Sequence, residues 1–142
     1  MAFPKKIKLL LRFWAPVIAW ALVIFLFSSK PTGSTTEIYW QDFIVKKTAH
    51  VVEYAVFTTL LFRAFVASGA NKKDAAMYSL GISIVYAISD EVHQSFTPGR
   101  EPRARDIIFD TIGAAGAIYT IWNIIPKAPK RLKQLAKDFQ LI

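Results

Sequence analysis

The sequence predicts an all-α polytopic membrane protein: a bundle of four transmembrane helices with both termini cytoplasmic. Three observations carry that expectation. Hydrophobic residues make up 54% of the 142 and charged residues only 20%, below the roughly 25% charge of an average soluble domain, and the mean hydropathy is +0.32. The charges gather around four apolar stretches. Threading the chain through these stretches puts twelve of the eighteen Lys and Arg residues on one side, as the bias toward basic cytoplasmic loops requires. A single membrane domain over 1–142 is expected.

The first stretch covers residues 9–29. Phe13 to Ser29 is seventeen residues without a charge, and with 9–12 it reaches the roughly 20 residues that cross about 30 Å of hydrocarbon. Pro16 lies near its start, where a helix tolerates proline. Lys5, Lys6, Lys8 and Arg12 precede it, as in a signal peptide, but the run is too long and Phe27-Ser28-Ser29 lacks a small-x-small cleavage pattern. A retained span is the expectation.

The second stretch, 43–66, is interrupted by Lys46, Lys47, His50, Glu53 and Arg63 and keeps only Tyr54 to Phe62 uncharged. The third begins with fifteen uncharged residues, Ala75 to Ser89; carried through Phe96 as a helix it reaches twenty-two, about 33 Å. Pro98-Gly99 then stops it. The fourth, 106–125, is free of charge from Thr111 to Pro126. Its small residues Gly113, Ala114, Gly116 and Ala117 form a packing face, with the first span the expected neighbour.

With the N-terminus inside, Lys5, Lys6, Lys8, Arg12, Arg63, Lys72, Lys73 and the basic residues of the tail 126–142 are cytoplasmic, and only Asp74 and Asp138 of the ten acidic residues join them. The net charge of +8 is therefore a topological signal, and nucleic acid is not an expected partner. The tail KAPKRLKQLAKDFQLI can form a basic amphipathic helix on anionic inner-leaflet lipid or remain a solvated tail. The chain has no cysteine, which excludes disulfides, thiolate catalysis and cysteine-held zinc.

Polar residues collect at the outer end of three helices. Asp90, Glu91, His93 and Gln94 occupy the last turns of the third, with Asp90 three and four residues from His93 and Gln94. Lys47, His50, Glu53 and Tyr54 are likewise three or four apart on the second, and Asp106, Asp110 and Gly113 on the fourth. One outward-facing pocket is the economical reading. A carboxylate in hydrocarbon at mid-helix costs roughly 2.5–3.5 kcal/mol even on lenient scales, so Glu53 and Asp110 should face inward, with Lys47, His50, Arg100, Arg103 and Arg105 as the available cations. Mutual pairing that merely fastens helix ends is the plain alternative.

As a catalytic inventory, His50, Glu53, Asp90, Glu91 and His93 offer acids and bases, while Lys47 and Arg100 offer positive charge for phosphate oxygens. Lys47, Tyr54, Gln94, Arg100, Arg103, Arg105, Asp106 and Asp110 are the expected binding residues, the arginine forks being suited to phosphate. No Ser, Thr or Cys stands in a nucleophile motif. His50, Glu53, Asp90 and His93 have metal-ligand chemistry, but their spacing matches neither HExxH nor its inverse; neither a metal nor a cofactor is expected.

Lys47-x-x-His50-x-x-Glu53-Tyr54, then Asp90-Glu91-x-His93-Gln94-x-Phe96-x-Pro98-Gly99-Arg100, then Asp106-x-x-x-Asp110-x-x-Gly113 resemble the signature of the VanZ-like family of small integral membrane proteins. The resemblance covers about Lys47 to Gly116, and that family carries Asn or Asp at the place of Asp110. It implies a protein of the bacterial cytoplasmic membrane whose polar site engages a lipid-linked or glycopeptide-related envelope ligand, with a link to teicoplanin resistance. It brings no established reaction. The expected function is binding, with or without hydrolysis or group transfer, of an anionic lipid-linked envelope intermediate. The alternatives are a non-catalytic structural or assembly protein and a small transporter acting as a dimer.

Overall fold

A computed structural model describes residues 4–30, 39–98, 100 and 103–141. All regular structure among them is helical. The first helical rod joins α1 (Lys5–Leu9), a π turn (Leu10–Trp14) and α2 (Ala15–Ser28). The π turn has a local cause. Pro16 has no N–H to give to Arg12 and its ring crowds that carbonyl; the preceding ladder widens, and Ala15 N–H reaches back to Leu10 O.

The long helix α3 (Tyr39–Ala67) has 29 residues and begins before the expected 43. It ends in a Schellman motif: Ala70 N–H donates to Phe65 O and Gly69 N–H to Val66 O, with Gly69 at φ 100°, a conformation that favours glycine. Helix α4 (Lys72–Gln94) starts at Asn71, whose side chain accepts from Asp74 N–H and donates to Asp74 Oδ2. It stops two residues short of the expected Phe96, and Gly99 of the proposed Pro98-Gly99 stop lies outside the described residues. Helix α5 (Ala104–Tyr119) runs into a second π turn (Thr120–Ile124) just ahead of Pro126. The tail forms α6 (Lys130–Asp138).

Among the described residues, three segments are long and apolar enough to cross a membrane: Ile7–Ser28, Phe43–Ala67 and Ala104–Lys127. Helix α4 is not one of them, because its ends carry Lys72, Lys73, Asp74, Asp90 and Glu91. Its buried face is made of small and polar side chains, Ala75, Ser79, Ser83, Ala87, Asp90 and Gln94, at the three-and-four spacing of one helical stripe.

Helix α3 packs against α2, α4 and α5. The side-chain pairs Lys47 with Asp106 and His50 with Asp110 make α3 and α5 parallel, while Thr58 with Ser83 and Ser28 with Asp90 place α4 antiparallel to α3 and beside α2. One buried cluster joins Phe13, Val17 and Ile24 of the first rod to Tyr54, Phe57 and Leu61 of α3 and Ala87 of α4. A second, at the other end, contains Phe62, Ala75, Ala76 and Ile121, with Leu141 packed on it.

The small-residue face of α5 has a different neighbour from the one expected. A β-carbon at Gly113 would meet the Val51 carbonyl oxygen, so α3, not the first span, makes the close approach; a β-carbon at Gly116 would meet nothing within 4 Å, and Gly116 is exposed. Parallel packing of α5 on α3 brings the Asp106–Asp110–Gly113 stripe onto the Lys47–His50–Val51 stripe.

Candidate polar site at one end of the bundle

Two polar groups form at the end of the bundle where α2 and α4 finish and α3 and α5 begin. The first is built by α3, α4 and α5. Lys47 Nζ stands 2.5 Å from Asp106 Oδ1, with Arg105 Nε 3.8 Å from the same oxygen. One turn deeper, His50 Nδ1 lies 3.0 Å from Asp110 Oδ1, and the Asp110 side chain is fully buried. The acceptor oxygen fixes the proton on Nδ1 and turns Nε2 away from Asp110. From α4, Glu91 Oε2 accepts the Arg103 N–H at 2.8 Å, and Glu91 lies in the electrostatic reach of Asp106, Asp110 and His50.

Hydrogen-bonding capacity is left over here. Tyr54 Oη, Glu91 Oε1 and Asp110 Oδ2 are buried without a hydrogen-bond partner among the described residues. Glu53 is half-buried one turn along α3 from His50, and its backbone carbonyl accepts from Trp20 Nε1 at 2.9 Å. Buried polar groups are normally paired, and leaving one unpaired costs about 1–3 kcal/mol. Such an accumulation marks a place for water or a polar ligand.

The second group joins α2 to α4, and its hydrogen bonds close on themselves. Ser28 Oγ donates to Asp90 Oδ2 at 2.6 Å, and Gln94 Nε2 lies 2.7 Å from that oxygen and 2.8 Å from Ser28 Oγ. All three residues are buried. Beside them Ser29 Oγ donates to Phe25 O at 2.7 Å and stands 3.0 Å from His93 Nε2. With its only hydrogen given to Phe25, Ser29 accepts from His93, so the pair is not arranged for a histidine to activate a serine. The His93 ring stacks on Phe25 with centroids 4.4 Å apart.

Arg100 belongs with this fastening. Its N–H donates to Thr97 O at 3.1 Å. Its guanidinium donates from Nε to Lys30 O at 3.0 Å and from Nη2 to Phe27 O at 2.7 Å. Phe27 O, in the last turn of α2, also accepts the Lys30 N–H at 3.2 Å, and Lys30 O lies just past the helix, so Arg100 reinforces the α2 C-terminus and ties the residues after α4 to it.

The structure thus brings Lys47, His50, Glu53, Tyr54, Glu91, Asp106 and Asp110 together, and sets Asp90, His93, Gln94 and Arg100 in the adjoining α2–α4 group. The two halves feel each other's charge: Asp90 acts on both Glu53 and Asp110. Arg105 is 44% exposed at the rim, over the Phe43 ring, and the Arg103 side chain is exposed there too. Among the described residues no three His, Asp or Glu side chains gather as a metal site would need. Sequence reasoning missed Ser28 and Ser29, because a serine pair closing an apolar run looks like any span end.

An apolar groove of about 520 Å³ leads away from this end between α2, α3 and α4. Val17, Ala21, Phe25, Phe57, Leu61 and Tyr86 are among the residues that line it. Tyr86 Oη donates to Ala21 O at 2.7 Å, which leaves its ring to form the wall. From Trp14 to Phe25 the groove follows about 16 Å of helix, roughly half of a ~30 Å hydrocarbon layer.

The sequence model of the VanZ/LLP1 family matches residues 13–125. No curated protein and no solved structure matches the chain.

Proposed function

The chain belongs to the VanZ/LLP1 family, and from that premise we propose that its polar end binds the headgroup of an anionic lipid-linked envelope intermediate in the bacterial cytoplasmic membrane. In this reading α4 completes a bundle of four spans, both termini are cytoplasmic, and the site faces outward. The observation that carries the proposal is a juxtaposition: Tyr54, whose buried Oη keeps unused hydrogen-bonding capacity beside those of Glu91 and Asp110, packs its ring on Phe57 and Tyr86, which wall an apolar groove about one leaflet deep. An amphiphile satisfies both at once. Its chain lies in the groove, its hydroxyl or amide donors meet Glu53, Glu91 Oε1 and Asp110 Oδ2, and its phosphate stays at the rim near Arg105.

His50 then has a chemical role. Asp110 holds Nδ1–H, so Nε2 can take a proton from a ligand hydroxyl or from water, and the imidazolium that forms is stabilised by the Asp110 carboxylate. Returning that proton to a leaving oxygen completes a hydrolysis or transfer with no covalent enzyme intermediate. Handling of an envelope intermediate is also the natural route to glycopeptide resistance. A structural reading applies to the other half of the cluster, where Ser28, Asp90, Gln94 and Arg100 satisfy one another and the α2 carbonyls.

The test is binding of a long-chain polyprenyl diphosphate that carries an N-acetylated sugar, a source of both hydroxyl and amide donors, to the purified protein. His50→Gln and Glu91→Gln should bind it much more weakly, whereas Ser28→Ala should bind normally once folded. Wild-type affinity in both of the first two variants would sink the proposal.

A further inference from the structure

The opposite end of the bundle carries a second feature, independent of the polar site. Helix α6 has Leu132, Leu135, Ala136 and Phe139 on one stripe, at the i, i+3, i+4, i+7 spacing of an amphipathic helix. Lys130, Lys133 and Lys137 stand on the other side. Only part of the stripe is used within the chain. Ala136 is buried, while Leu132, Leu135 and Phe139 remain 55%, 52% and 53% exposed.

The helix is nevertheless held in place. Arg63, near the end of α3, donates from Nε to Phe139 O at 2.6 Å and lies over the Phe139 ring. Leu141 packs on the cluster of Phe62, Ala75, Ala76 and Ile121, and Leu141 N–H returns to Ala136 O. These contacts tether the residues that follow α6, Phe139 and Leu141, to the end of α3, the start of α4 and Ile121, at the end that also carries Lys72, Lys73 and Lys127.

We propose that α6 is an interfacial helix that binds the anionic lipid surface at this end of the bundle, with its exposed apolar stripe in the acyl boundary and its lysines among the phosphates. The occupant follows from position and charge. The exposed stripe stands at the end of the spans where Arg63, Lys72, Lys73 and Lys127 also lie, and residues 126–142 carry five basic side chains against one acidic. A basic residue near an anionic membrane surface contributes about fivefold to binding.

The chain has no cysteine, so Leu135→Cys accepts a single environment-sensitive dye, and Leu132→Cys gives a second reporter on the same stripe. Each labelled protein is placed in nanodiscs of phosphatidylcholine alone or of phosphatidylcholine with phosphatidylglycerol. The expected result is blue-shifted emission from both reporters, larger with phosphatidylglycerol. Changing Lys130, Lys133 and Lys137 together to Gln should reduce the phosphatidylglycerol preference about tenfold or more. Equal emission in the two discs, water-like emission in both, or a preference that survives the triple change would each overturn the proposal. So would efficient disulfide pairing of unlabelled Leu135→Cys chains, which would assign the stripe to a second copy.

Discussion

A β-carbon added at Gly113 would stand 2.2 Å from the carbonyl oxygen of Val51. Helices α3 and α5 therefore touch backbone to backbone beside Asp110 and His50. Because the obstacle is backbone, it cannot swing aside as a side chain would. Gly113→Ala should destabilise the protein by about 1–3 kcal/mol and weaken ligand binding by parting His50 from Asp110. Gly116→Ala, with nothing within 4 Å, should be neutral or stabilising by up to about 1 kcal/mol. Melting temperatures of the two variants in one detergent compare them directly.

The His50–Asp110 pair should behave as a coupled unit. Asp110→Ala leaves a histidine facing a buried void and should cost about 3–5 kcal/mol, in the range for breaking a buried pair. Adding His50→Gln should cost less in that background than alone, with a coupling of about 0.5–3 kcal/mol. A double-mutant cycle by denaturant unfolding in micelles measures it; strict additivity would mean that the 3.0 Å contact contributes no energy.

Ser28 and Arg100 should act on the docking of α2. Ser28→Ala removes the 2.6 Å hydrogen bond to buried Asp90 and should lower stability by about 1–3 kcal/mol. Arg100→Lys cannot reproduce two donors aimed at Lys30 O and Phe27 O, so it too should melt earlier. Affinity for the sugar-bearing polyprenyl diphosphate, per folded molecule, should stay at the wild-type value in both. A selective loss of affinity at unchanged melting temperature would instead put Arg100 on the ligand.

The topology proposed from the basic split places the C-terminus inside the cell. A reporter fused after Ile142 and active only outside the cytoplasm should stay silent, and one active only inside should work. The opposite pattern would invert the bundle and with it the outward-facing site.

Much of this was legible in the sequence because helical spacing is a local property. The three-and-four separations of Lys47, His50 and Tyr54 and of Asp106, Asp110 and Gly113 put each set on one face whatever the rest of the chain does. Chain direction then brings those faces to one end, and the insertion cost of carboxylates turns them inward. Partner choice was not local. His50 faces Asp110 because the bare backbone at Gly113 lets α5 settle on Val51 in one register. Asp90 takes Ser28, and Arg100 takes the carbonyls of Phe27 and Lys30, because α2 finishes beside α4. Which half of the polar cluster fastens helices and which keeps unused hydrogen bonds depended on rotation and register between helices. Packing of whole faces sets those quantities, and no spacing within a single helix encodes them.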